Sequence, residues 1–393
     1  MTTRLLLPFV LATTLLAREP VLVDQAKLGT IHTAMEKAVE QKQAAGIVTL
    51  AIKDGQVIWQ DAAGMKNIEK QQPMAKDSLF WIASMTKSIS TTAIMTLVDE
   101  GKLSLDEPAS KWLPELGKVK MMDGQPPKRP ITLRDLMSHT AGIAFPPRKA
   151  TDGAISLKAY TVELLKAPLA FEPGSAYEYG FGITIAGRIA EIISGNKFEQ
   201  FMEERITGPL GMEDTTFHPT EEQRARIAMT YTLDDETKLL TPAYNPFVTG
   251  DASVKRMVEP SGGLFSTAGD MGRFYQMVAD GGVWQGKRVV SEKSLAELTH
   301  AHEAGGKPIS YGLGWFVNID TARPAPMMPM VSFGHGGAFA TNGWVVPQHK
   351  LITVFMVQDV LVPNASQPRD TFHRLVNEAL DIPLPELPKK KTK

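Results

Sequence analysis

Ser84 and Lys87 lie three positions apart in FWIASMTKSISTTAIMTLVDEG (80–101), a stretch that reads as one amphipathic helix. Residues i and i+3 share a helix face one turn apart, so the lysine amine can reach the serine hydroxyl. A nucleophilic hydroxyl needs a base to take its proton and donors for the oxyanion that forms on the attacked carbonyl. Ser84 at a helix start would offer its own unpaired backbone N–H as one such donor. The surrounding Ile, Ala and Met disfavour the charged ammonium and lower the lysine pKa, so that a neutral amine is available as base. On spacing alone a plainer reading stands beside this one, with Ser84 a helix cap and Lys87 reaching solvent. A second S-x-x-K, Ser194 to Lys197, runs through Gly195 and Asn196, a helix stop, and reads as structural.

The composition narrows the chemistry. No cysteine occurs, which excludes thiol nucleophiles, disulfides and thiolate metal sites. The formal charge of −1, with 43% apolar and 22% charged residues, describes a globular chain with no electrostatic footprint for nucleic acid. The basic tail PKKKTK (388–393) reads as a solvated end. No G-x-S-x-G elbow is present, against an α/β-hydrolase. His300 and His302 resemble a metal pair, but i and i+2 point to different helix faces and no third ligand is evident, so no metal or other cofactor is expected. The start, MTTRLLLPFVLATTLLAREP, has a short basic region and an apolar run, Leu5–Ala17, too short to span a bilayer as a helix. It reads as an export signal over 1–17, placing the protein in the periplasm or outside the cell. Cleavage after Ala17 would put Leu15 where a small residue is preferred, and a buried N-terminal helix in a cytoplasmic protein is the alternative. No stable membrane span is expected.

Around the pair the chain reads as follows. Residues 27–45 look helical, and GIVTLAIKDGQVIWQDAAG (46–64) reads as strand, Asp54-Gly55 turn, strand. From Ser84 to about His302 the periodicity is mainly helical, broken by Pro/Gly-rich loops at 123–130 and 171–182. Strand character returns at 311–319, 330–337 and 342–359, before a last helix near Arg369 to Leu380. The expected class is α+β: an antiparallel sheet built from the N- and C-terminal segments (27–83 and 303–380), flanked by helices, with a mostly helical domain (84–302) inserted and a tail at 381–393.

The blocks 80–116 and ITLRDLMSHTAGI (131–143), with FEPGSAYEYG (171–180), PSGGLFSTAGDMGRF (260–274), YGLGWF (311–316) and GHGG (334–337), strongly resemble the serine hydrolases of the class C β-lactamase, D-Ala-D-Ala carboxypeptidase and family VIII carboxylesterase group. The resemblance covers roughly residues 27 to 380. It implies an acyl-enzyme mechanism on Ser84 with Lys87, and it assigns the Tyr-x-Asn tyrosine after Pro173-Gly174 to Tyr179, with Tyr177 as the preceding aromatic. Beside an ammonium, a phenol would be pulled below its usual value of about 10 and share the work of a base. The family's asparagine is Phe181 here, which trades a hydrogen bond to an amide for apolar contact. Its Lys-Thr-Gly box is His335-Gly336-Gly337, followed by Ala338, whose N–H the resemblance makes the second oxyanion donor. His335 either takes part directly or is hydrogen-bonded for structure beside the site; His139 is read as holding a loop. Trp81, Tyr177, Phe181 and Trp344 are candidate apolar walls, and loops at 121–131 and 231–258 candidate covers. The expected substrate is a small-molecule ester, with β-lactams or D-Ala-D-Ala peptides as the alternative, and acyl transfer as a variation.

Overall fold

The computed structural model describes residues 21–143, 156–245, 247–248, 256–319, 328–329, 331–360, 362 and 366–384. The segments expected to be an export signal and a basic tail lie outside the described residues. Helix α1 (Gln25–Glu40) opens the fold, capped by Asp24, whose side chain accepts from the Lys27 N–H. Strands β1 (Gly46–Lys53) and β2 (Gln56–Asn67) follow, and Asp54 and Gly55 both have positive φ (51° and 74°), as a two-residue hairpin turn requires. A short β3 (Gln72–Pro73) completes the N-terminal share of the sheet. The C-terminal share is β6 (Phe316–Asn318), β7 (Ser332–Gly336), β8 (Asn342–Val346) and β9 (Leu351–Met356). These seven strands form one antiparallel sheet in the order β6-β7-β8-β9-β1-β2-β3, so the two ends of the chain meet where β9 pairs with β1. One of four two-stranded ribbons among the described residues pairs β4 (Phe80–Trp81) with β5 (Phe265–Ser266).

The sheet divides two cores, and its alternation shows this directly. Val48, Leu50 and Ile52 of β1, with Ile352, Val354 and Met356 of β9, face the larger core. Their neighbours Ile47, Ala51, Leu351 and Phe355 face a second core closed by α1 and the C-terminal helix Ser366–Ala379. Trp344 belongs to this second core, on the far side from the Ser84 turn, and is not a wall of the site.

The central helix departs from the sequence reading. Phe80–Trp81 is strand, Ala83–Met85 is a single 3-10 turn, and α2 runs Thr86–Asp99. It is buried all round from Thr86 to Leu97, so it is not amphipathic. Its hydroxyls look like a solvent face in sequence but are satisfied internally: Thr91 bonds the Lys87 carbonyl (2.9 Å), Thr92 that of Ser88 (2.7 Å), and Thr96 that of Ala93 (2.7 Å). Ser88 and Ser90 donate to the carbonyls of Gly314 (2.9 Å) and Pro260 (2.8 Å), tying α2 to its neighbours. Among the described residues no helix is long and apolar enough to cross a membrane.

Candidate active site

Ser84 sits in the 3-10 turn that leads into α2, and the residue before it carries backbone strain: Ala83 has φ +45°, the left-handed region where a Cβ is unfavourable. The turn is held from both sides. Ile82 donates its N–H to Leu264 (3.0 Å), and the Ile82 carbonyl accepts from Met85 N–H (3.1 Å) and Thr341 Oγ1 (3.3 Å). Lys87, one turn on and 4% exposed, places Nζ 3.2 Å from Ser84 Oγ and donates to the Ser261 carbonyl at 2.7 Å. Burial lowers its pKa to about 7, against the opposing pull of the Glu259 carboxylate.

Tyr179 arrives from the loop before α3 (Gly182–Ser194). His139, itself at φ +60°, clasps that loop: its carbonyl accepts from Glu178 N–H (3.0 Å) and its Nδ1 from Gly180 N–H (3.2 Å). The phenol hydrogen-bonds Ser84, and the Lys87 amine lies 4.7 Å from the centroid of its ring. Hydroxyl, amine and phenol from two distant parts of the chain therefore converge. One expectation is reversed. Burial raises the Tyr179 pKa well above the usual 10, and the Ser84 hydrogen bond only partly opposes this. At neutral pH the phenol keeps its proton and Lys87 is the available base, because the lysine meets Ser84 with its own charge already suppressed.

The box at the end of β7 behaves as two kinds of residue. A Cβ on Gly337 would fall 2.5 Å from the Ile82 carbonyl oxygen and closer still to Thr341 Oγ1, so glycine is what lets β7 approach the Ser84 turn. Gly336 has no such restriction, its nearest neighbour being Asn342 Nδ2 at 3.5 Å. Ala338 follows in an exposed turn. Among the described residues, the N–H groups of Ser84 and Ala338 have no hydrogen-bond acceptor, so both are available as donors. Gly337→Ala is expected to lower kcat by at least about a hundredfold, the scale of one lost oxyanion donor. Gly336→Ala should stay within a few-fold, and steady-state kinetics of the two variants checks the contrast.

His335 is 1% exposed, and both its ring nitrogens are engaged. Its Nδ1 lies 2.7 Å from the Gly336 carbonyl, which can only accept, so Nδ1 carries the proton. Its Nε2 therefore accepts from the Tyr311 hydroxyl (3.1 Å), leaving that oxygen to accept from His139 Nε2 (3.2 Å). Burial and the nearby Lys87 push the His335 pKa down to about 3, and burial likewise holds His139 neutral. Of the two roles open to His335, the structure supports the structural one: a neutral ring with no nitrogen left to hold a substrate. Phe181 is half-buried; its ring packs on the larger core and stands edge-on to Tyr160, at 5.9 Å between centroids.

Trp81, one of the apolar walls expected from sequence, lies beside the Ser84 turn, stacks on Phe247 (4.2 Å) and tilts against Phe339 (4.8 Å), the residue after Ala338, making an aromatic cluster there. Sequence reading missed two features. Glu259 and Ser261 form a polar network under Lys87; its only sequence sign is a carboxylate set between Val258 and Pro260, directly ahead of a Gly-rich block. Glu297 joins His300 and His302 as the third ligand-type side chain that sequence did not supply. There, His300 Nδ1 and His302 Nε2 each donate to a carbonyl near the end of the helix Glu292–Thr299 (2.8 and 2.9 Å), while the carboxylate pairs with Arg134 (2.6 Å), the pattern of a helix C-terminal cap.

Comparison with known proteins agrees with this architecture. Protein Rv1367c of Mycobacterium tuberculosis is 31% identical over 80% of this chain and 85% of its own length. Esterase EstB of Burkholderia gladioli is 26% identical, with 88% of this chain and 94% of the esterase covered. The D-alanyl-D-alanine-carboxypeptidase/endopeptidase AmpH of Escherichia coli is 28% identical, with 80% of this chain and 79% of its own length covered. The solved structure of EstCE1, described as a hydrolase with promiscuous acyltransferase activity, superposes with a TM-score of 0.76 at 22% identity, covering 90% of this chain and 99% of that one, a likeness of fold. A family model described as Beta-lactamase matches residues 31–378, and the chain accordingly belongs to the beta-lactamase family of serine hydrolases.

Proposed function

We propose that the protein is a carboxylesterase that works through an acyl-enzyme on Ser84. In this reading neutral Lys87 takes the hydroxyl proton as Ser84 Oγ attacks the ester carbonyl, and the N–H groups of Ser84 and Ala338 hold the oxyanion. Collapse breaks the ester C–O bond. Tyr179, protonated at rest, gives its proton to the departing alkoxide and regains one from the Lys87 ammonium. Water then attacks the acyl carbon with the same base, returning Ser84.

The observation that carries the ester assignment is His335. Where the Lys-Thr-Gly form of the box has a lysine to hold a substrate carboxylate, this chain has a neutral ring with both nitrogens satisfied. A site without that charge suits an uncharged substrate, and the Trp81–Phe247–Phe339 cluster offers apolar surface beside the oxyanion position. Phe181 at the asparagine position points the same way. Short-chain p-nitrophenyl esters, a chromogenic cephalosporin and a D-Ala-D-Ala peptide assayed in parallel test the reading. Ester kcat/KM is expected to exceed both others by roughly a hundredfold, the scale on which an apolar pocket turns away an added polar group. The reverse ranking would replace it with amide hydrolysis on the same nucleophile.

A further inference from the structure

Glu259 is a carboxylate without a cationic side chain on it: among the described residues it enters no ion pair, and part of the residue reaches solvent while its carboxylate lies deep. Its Oε1 accepts from the Ser261 N–H (2.8 Å) and from Thr184 Oγ1 (2.5 Å), a residue of α3 that is itself fully buried. Thr184 spends its proton on the carboxylate, so Ser261 Oγ donates to Thr184 Oγ1 at 2.7 Å. The same Ser261 turns its carbonyl to Lys87 Nζ at 2.7 Å. One residue thus has its N–H on the Glu259 carboxylate and its C=O on the catalytic amine. Burying a carboxylate costs free energy unless donors compensate, and here the Ser261 N–H and the Thr184 hydroxyl supply them.

From this geometry, and resting on the serine hydrolase reading above, we propose that Glu259 is a positioning residue: the counter-anion of Lys87, which through Ser261 holds the amine against Ser84 and keeps it basic enough to take the serine proton. The other titratable groups in the neighbourhood do not compete for this role. His139 and His335 face Lys87 as neutral rings, Tyr179 faces it as a protonated phenol, and Tyr160 of the helix Leu157–Leu164 faces Glu259 as a second phenol whose pKa burial raises. Burial opposes the charge of Lys87 and Glu259 alike, while each one's charge supports the other's. Glu259 is then what keeps burial from making Lys87 too weak a base.

The test is the pH dependence of kcat/KM for a p-nitrophenyl ester in wild type, Glu259→Gln and Thr184→Val, with fluorophosphonate labelling of Ser84 in each. Glutamine keeps the shape and loses the charge. Its acid limb should move to lower pH by about one unit, since the lysine loses an anion that favours its protonated form, and its plateau should fall about tenfold because the base is weaker. Thr184→Val, which removes one donor from the carboxylate, should move the limb the same way by less, and reads the effect if the glutamine variant does not fold. Label in all three proteins with an unmoved limb overturns the role of Glu259 and leaves the serine hydrolase reading standing. Wild type that takes no label at Ser84 overturns both.

Discussion

Ser84→Ala is expected to reduce ester turnover by about 10⁴-fold or more and to abolish fluorophosphonate labelling, with the fold unchanged. The size follows from the absence of a substitute. Thr86, Ser88 and Ser90, the nearest hydroxyls along α2, are fully buried; Thr86 Oγ1 accepts from the Leu264 N–H and the two serines donate to the Gly314 and Pro260 carbonyls, so none has room for a substrate carbonyl. Ser261 Oγ is committed to Thr184. Ser84 alone combines partial exposure with an amine at 3.2 Å and a phenol on the same oxygen. Alanine removes one oxygen and leaves Lys87 its bond to the Ser261 carbonyl, so thermal stability should change by no more than about 1 kcal/mol. Initial rates on a p-nitrophenyl ester, intact-protein mass after fluorophosphonate treatment and a melting curve together check this. A variant that keeps its turnover would place the nucleophile elsewhere.

Where a local signal and the tertiary environment agreed, the fold was legible from sequence. The Asp54-Gly55 turn lies between strands whose apolar residues go to both faces, and the sheet has its ends in the first and last thirds of the chain because strand patterning appears only there. Helix α2 misled for a physical reason. Its Ser and Thr residues look like a wet face, and only tertiary packing buries them: Ser88 and Ser90 then donate to the Gly314 and Pro260 carbonyls, and Thr91, Thr92 and Thr96 to carbonyls of the helix itself. YGLGWF (311–316) is strand only at Phe316, because Gly314 takes φ +81° to bring the chain against Lys87 and Thr91. A turn that exists to dock on another element carries no strand period.

The candidate site was legible as a set of residues and not as an electrostatic system. Spacing and motif named Ser84, Lys87 and Tyr179, and the chain brings them together. The charge state of Tyr179 depends on how much water the phenol loses, which no motif encodes; burial outweighs its hydrogen bond. His335 could be read two ways until its partners were known, since only the Tyr311 hydroxyl and the Gly336 carbonyl fix which nitrogen holds the proton. Glu259 lies 172 positions from Lys87 in sequence, a separation at which no local pattern can pair them.

That electrostatic system yields a pH prediction with a definite sign. If Lys87 is the base, kcat/KM rises with pH as the amine loses its proton, with a limb near pH 7, where burial has brought its pKa. Because burial raises the Tyr179 pKa, no second limb from that phenol should appear below about pH 10, whereas a tyrosine base would have produced one. Lys87→Met should lower kcat/KM by several orders of magnitude and raise stability at neutral pH. Between about 7 and the usual lysine value of 10.5 the unfolded chain holds the Lys87 proton and the folded chain does not, so this residue's contribution makes the folded state more stable as pH rises through that window. Below pH 7 the full cost of the buried ammonium is present. Methionine removes it, which should give a gain on the order of a few kcal/mol at pH 7 that shrinks towards pH 10.5. Denaturant melts of wild type and variant at pH 6, 8 and 10 measure the difference, and a gain that grows with pH would mean that Lys87 is charged in the folded enzyme and cannot be the resting base.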